Sequence, residues 1–134
     1  MKKAYTFFLL SLLLLLAGCR ETVHKESKDI SGETFEFEFT LDTAQPVYYV
    51  QVQVRYSFSS SLREKLAGEI ISPSGKRYNA RAYLAGEKGA FGSKLENLHF
   101  PQVEAEEGTF KLIAQQEKNT RYPLKKATLT VYKE

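Results

Sequence analysis

Glu33-Thr34-Phe35-Glu36-Phe37-Glu38-Phe39-Thr40-Leu41 alternates large apolar and polar side chains without a break. Successive side chains of an extended chain point to opposite faces, so Phe35, Phe37, Phe39 and Leu41 share one face. Glu36, Glu38 and Thr40 take the other. The stretch predicts a strand with one buried and one wet side, ended by Asp42-Thr43-Ala44-Gln45-Pro46.

Working outward, the same period recurs. Val47 to Phe58 puts Val50, Val52, Val54, Tyr56 and Phe58 on one side, with Tyr49, Gln51, Gln53 and Arg55 on the other. Leu66 to Ser72 reads as a weaker third strand, with a short capped helical turn over Ser61-Leu62-Arg63-Glu64 as its competitor. Ser72-Pro73-Ser74-Gly75-Lys76 is turn chemistry and leads into Arg77 to Leu84, where Tyr78, Ala80, Ala82 and Leu84 align. A loop with Gly86, Gly89 and Gly92 follows. Leu95 to Val103 is ambiguous, because Pro101 restricts it to an edge or an irregular path. Glu106-Glu107-Gly108 turns into Thr109 to Gln116, with Phe110, Leu112 and Ala114 aligned, and Lys125 to Lys133 places Ala127, Leu129 and Val131 inward. The pattern is all-β: an antiparallel β-sandwich, Ig-like or jelly-roll-like, of about six to eight strands.

The first nineteen residues have a different character. Lys2 and Lys3 precede an apolar run from Phe7 to Leu16, which ends in Ala17-Gly18-Cys19. The run is shorter than the ~20 residues of a membrane span and reads as a signal peptide. Its small-small-Cys ending is that of a bacterial lipoprotein signal, in which lipid is attached to the Cys19 thiol before cleavage. The expected organisation is a lipoprotein signal peptide over 1–18, a lipidated N-terminus and flexible tether over 19–32, and the β-sandwich over 33–134. Arg20 to Gly32 reads as tether because it is polar, mixed in charge and almost free of large apolar side chains. Arg20 stands where an inner-membrane retention signal would place Asp, which favours the outer membrane. Whether the domain faces the periplasm or the surface stays open.

Composition narrows the function. The chain carries 19 Lys+Arg against 16 Asp+Glu, and removal of Lys2 and Lys3 with the signal leaves 17 against 16. A near-neutral mature chain gives no reason to expect a nucleic-acid partner. One Cys excludes an internal disulfide framework and any Cys-based metal knuckle. His24 and His99 have no second ligand at metal spacing, and neither a metal nor another cofactor is expected. Glu36 and Glu38 form a wet strand face before they form an acid/base pair. Glu104, Glu106 and Glu107 lack calcium-loop spacing. No nucleophile elbow or phosphate-binding glycine loop is present, so no catalytic residue is assigned and the protein reads as a non-enzyme. Tyr49, Arg55, Arg81 and Tyr83 alternate with the expected core residues and form the candidate partner-binding face, with Arg77 beside them.

The run Phe37-Glu38-Phe39-Thr40-Leu41-Asp42-Thr43, then Gln45-Pro46-Val47-Tyr48 and Val52-Gln53-Val54-Arg55, resembles the gliding-motility lipoprotein H (GldH-like) family of Bacteroidetes. The likeness continues through Ser72-Pro73-Ser74-Gly75-Lys76, Leu84-Ala85-Gly86-Glu87-Lys88-Gly89, Gly108 to Gln116 and Leu129-Thr130-Val131-Tyr132-Lys133. Ala90-Phe91-Gly92-Ser93 departs from the family's Trp-Gly-x-Gly-like element. The resemblance implies a lipid-anchored, non-enzymatic accessory or scaffold lipoprotein of an envelope machine. Its partners would be the membrane, through lipid on Cys19, and envelope proteins. The alternative from a different class is a ligand-binding lipoprotein that captures a glycan or peptide through its Tyr/Arg face, the small molecule being unknown.

Overall fold

The computed structural model describes residues 21–117 and 122–133. The segment read as a signal peptide, with Cys19 and Arg20, lies outside the described residues. Eight strands follow one another: β1 (Thr22–Asp29), β2 (Thr34–Thr40), β3 (Val47–Phe58), β4 (Glu64–Ile71), β5 (Arg77–Leu84), β6 (Gly92–Glu104), β7 (Thr109–Gln116) and β8 (Leu124–Lys133). They form two antiparallel sheets, a front sheet in the order β1-β8-β3-β6 and a back sheet in the order β2-β7-β4-β5.

The pairing has a simple logic. β4 pairs with β5, β3 with β6, β2 with β7 and β1 with β8. The chain is therefore one long antiparallel ribbon, doubled back at the β4–β5 turn and rolled so that successive pairs fall in alternate sheets. Of the two sandwich types the sequence allows, this is the jelly roll.

Each inner face is the apolar half of an alternating strand. Phe37, Val50, Val52, Val54, Leu66, Leu98, Phe110, Leu112, Leu129 and Val131 are fully buried. Phe39 stacks on Phe110 across the β2–β7 pair at 5.4 Å, and Phe35 meets Phe37 edge-on at 5.9 Å. The sheets approach so closely at Gly68 that a Cβ there would stand 2.8 Å from Leu98 Cδ1. A larger residue there would require the Leu98 and Phe100 side chains to shift.

One expectation is revised and two open readings are resolved. The polar segment read as tether contains β1, which pairs with β8 along its length. Ile30 just after β1 packs against the core, but β1 itself buries no large apolar side chain. The main-chain ladder holds it, with Ser27 Oγ bonded to Thr128 Oγ1 at 2.9 Å and Lys28 Nζ donating to the Glu36 carbonyl at 2.7 Å. Charged side chains on such an edge also discourage pairing with another chain. Ser61, Leu62 and Arg63 form no helical turn: they belong to the loop that leads into β4, which Glu64 opens. The ambiguous Pro101 segment is a 13-residue edge strand, β6. Between two paired positions β3 advances from Tyr48 to Val50, two residues, while β6 moves from Val103 to Phe100, three residues. The extra residue is a bulge at Pro101–Gln102, where a ladder bond is dispensable.

Candidate functional site

The structure separates the four candidate binding residues. Tyr49 and Arg55 lie on the outer face of the front sheet, on β3. Arg81 and Tyr83 lie on the outer face of the back sheet, on β5, with Arg77. The two pairs sit on opposite sides of the sandwich and cannot contact one ligand. Alternation told inside from outside correctly, but which sheet a strand joins is decided by topology.

On the front face, register assembles a cluster that no single strand reveals. Tyr49 of β3 is directly opposite Tyr132 of β8, with ring centroids 5.8 Å apart. On its other side the ring meets His99 of β6 at 5.9 Å, and the Tyr49 hydroxyl contacts His99 Nδ1. The next row along the strands is Lys25, Thr130, Gln51 and His99, and the one after it Ser27, Thr128, Gln53 and Asn97. Gln51 Nε2 donates to Asn97 Oδ1 at 3.3 Å. A further row holds Asp29, Lys126, Arg55 and Leu95. From the Tyr49 row to the Arg55 row, six residues of β3 span roughly 20 Å.

This face offers two half-buried tyrosine rings and the exposed His99 imidazole beside a field of amides and hydroxyls. Aromatic rings present flat apolar surface, while Asn, Gln and Thr both donate and accept hydrogen bonds. A rigid sheet holds them in fixed rows. Tyr132, His99, Gln51 and Asn97 were missed by sequence reasoning. The only signal in the sequence was that each occupies a wet position of its own strand.

The remaining titratable groups are tied into the framework. Glu36 Oε2 lies 3.6 Å from Lys111 Nζ on the back face, and Glu38 is opposite Lys111 in register. In the acidic turn, Glu104 pairs with Lys76 at 2.8 Å and Glu106 accepts the Ser74 N–H at 2.9 Å. The hydrogen bonds from Ser74 and then Ser72 hold the Glu106 carboxyl below its usual range, and the bond to Glu104 raises Lys76. Burial pushes the Tyr48 and Tyr56 phenols up, with the Asp42 charge adding to the first. Among the described residues no cluster of three or more His, Cys, Asp or Glu could hold a metal ion.

The two ends of the sandwich differ. One carries the β2–β3, β4–β5 and β6–β7 loops together with Thr22 and Lys133; there Ala105 N–H bonds the Pro46 carbonyl at 3.0 Å. At the other, Tyr56 Oη donates to the Ala85 carbonyl at 2.8 Å, and the Tyr122 hydroxyl donates to the Ser60 and Leu62 carbonyls. These tyrosines pin the β3–β4 and β5–β6 loops, from which Leu62 and Phe91 project, the latter 88% exposed. Gly86 allows the two loops to meet, since a Cβ there would lie 2.2 Å from the Ser60 carbonyl oxygen.

The sequence matches no protein-family model and no curated protein. Among solved structures, the chain is similar to the carbohydrate-binding module TmCBM61, solved in complex with beta-1,4-galactotriose. The TM-score is 0.50 at 14% identity, over 87% of this chain and 88% of that one. A CocE/NonD family hydrolase from Staphylococcus aureus matches at TM-score 0.38 and 10% identity, over 83% of this chain and 31% of that one. At such identities the likeness is one of fold: a carbohydrate-binding module and this chain share the β-sandwich.

Proposed function

We propose that this protein is a lipid-anchored, non-enzymatic envelope lipoprotein that binds a glycan on the outer face of its front sheet. The observation that carries the reading is the Tyr49–Tyr132–His99 cluster standing beside the Gln51, Gln53 and Asn97 amides. Sugar rings present apolar C–H faces and a fringe of hydroxyls. The three rings match the first and the amide rows the second. A sandwich shared with a carbohydrate-binding module agrees with this reading. Affinity electrophoresis of the purified chain through gels containing neutral and acidic polysaccharides tests it. Retardation by at least one glycan is expected, with loss in Tyr49→Ala; free migration of the wild type through every gel refutes it.

Anchoring rests on the lipoprotein signal ending at Cys19. Two or three acyl chains hold a protein stably where one is marginal, since each buried methylene contributes about 0.8 kcal/mol. Because β1 begins at Thr22, only Arg20 and Glu21 separate Cys19 from the fold. They keep the Thr22 end within roughly 10 Å of the membrane surface. The loops bearing Leu62 and Phe91 then face away from it. Cys19→Ser should release the protein from membranes; unchanged membrane partition and N-terminal mass would contradict the anchor.

A second reading is favoured by Phe91. In the accessory or scaffold role that the gliding-motility resemblance implies, this exposed ring on pinned loops would be the anchor for an envelope protein partner. Phe91→Ala would then reduce partner recovery from detergent-solubilised envelopes and leave glycan retention intact.

A further inference from the structure

The back sheet carries a second, chemically different surface. β4 and β5 pair so that Lys65 faces Tyr83, Ala67 faces Arg81 and Glu69 faces Asn79. Small residues at 67, 68 and 80 leave the main chain bare, and the result is an open trough of about 460 Å³ bordered by Lys65, Asn79 and Arg81. At one end Arg63 lies over the Tyr83 ring, its guanidinium carbon 4.2 Å from the centroid.

The charges around this trough are unbalanced. Arg63 and Lys65 are two residues apart on one outer face, and Arg81 is diagonal to Lys65 across the strands, each spacing about 7 Å. Like charges so close destabilise a sheet unless something offsets them. Of the carboxylates of this face, Glu69 pairs with Arg77 and Glu36 with Lys111, while Glu38 lies on β2, two strands away from β4. Glu117 donates its N–H to the Lys65 carbonyl but makes no ion pair with that side chain. Among the described residues, no ion pair joins Arg63, Lys65 or Arg81 to a carboxylate.

We infer that this trough is a binding site for an acidic polysaccharide, distinct from the front face. Arg81 and Lys65 receive the carboxylates of the chain. The guanidinium offers the planar pair of donors that fits a carboxylate, and the ammonium a point charge. Tyr83, 42% exposed at the rim, covers the apolar side of a sugar ring, and the Asn79 amide meets its hydroxyls. An open trough on a flat sheet suits a chain that continues past both ends. Among the described residues, the three cations, the aromatic rim and the absent counter-charge occur together only here.

Calorimetric titration of the purified full chain with oligogalacturonate, a neutral galacto-oligosaccharide and inorganic phosphate tests the assignment. Wild type is expected to bind oligogalacturonate more tightly than phosphate, and salt should weaken that binding. Arg81→Gln and Lys65→Gln should each lower the affinity roughly tenfold or more with an unchanged melting temperature. Tyr49→Ala, on the opposite face, should leave it intact. No binding of oligogalacturonate, phosphate bound as tightly as the acidic glycan, or equal affinity in Arg81→Gln would each overturn the site. The proposed function is judged separately, by the Tyr49-dependent retardation in affinity gels: its failure there leaves this inference standing, and failure of the oligogalacturonate arm leaves the front-face reading standing.

Discussion

Proline substitutions in β1 separate a strand from a tether. In an antiparallel ladder, alternate residues of an edge strand donate their N–H to the neighbour, so of any two consecutive residues one donates to β8. Glu26→Pro and Ser27→Pro together therefore remove at least one ladder bond. Ser27→Pro also deletes the 2.9 Å hydroxyl contact with Thr128. At about 0.5–1.5 kcal/mol per net hydrogen bond, the more damaging variant should lose about 1–3 kcal/mol. In a free tether, the same changes would stay within about 0.5 kcal/mol. Urea denaturation followed by circular dichroism reads the difference as a lower midpoint at unchanged slope. If both variants unfold at the wild-type midpoint, residues 22–29 are not a structural strand and the proposed close approach to the membrane fails with them.

Phe37→Ala removes a fully buried ring and should cost about 3–5 kcal/mol. Glu36→Ala loses only an exposed ion pair and Glu38→Ala none, so each should stay within about 0.5 kcal/mol; equal losses in all three by urea titration would mean the strand phase is wrong. Alkali should destabilise the fold. Tyr48 and Tyr56 have raised pKa values, so the folded chain keeps protons that the unfolded chain releases from about pH 10 upward. Their contribution is complete below pH 10 and is lost as pH rises through the folded-state values. Tyr48→Phe should flatten that decline while costing about 1 kcal/mol at neutral pH for the lost bond to the Asp42 carbonyl, and an unchanged alkaline slope would contradict the assignment.

Strands with a full apolar face were legible from the sequence. β2 and β3 each carry three or more large or β-branched apolar residues in strict alternation, and β7 and β8 carry two with an alanine in phase; burial is what that pattern records. β1 was invisible for the same reason. Its stability lies in backbone bonds to β8, and no side-chain periodicity reports those. Pro101 correctly pointed to an edge, because only there can a missing N–H be tolerated.

The site was half legible. Tyr49 and Arg55 could be placed at wet positions, as could Arg81 and Tyr83, yet nothing local reveals that β3 and β5 lie in different sheets. His99 and Tyr132 join Tyr49 only through the registers of β6 and β8, contacts 50 and 83 residues away in sequence. Long-range register of that kind is set by the rolled ribbon as a whole.

Chemical-shift mapping tests the central claim most directly. The isotope-labelled chain would be titrated with the polysaccharide fragment that retards it most in affinity gels, and backbone amide shifts followed residue by residue. Glycan binding on the front face predicts shifts concentrated at Tyr49, Gln51, Asn97, His99, Thr128, Thr130 and Tyr132, and their disappearance in Tyr49→Ala. Shifts confined to the loops around Leu62 and Phe91, or a front face that stays silent at saturation, would contradict it.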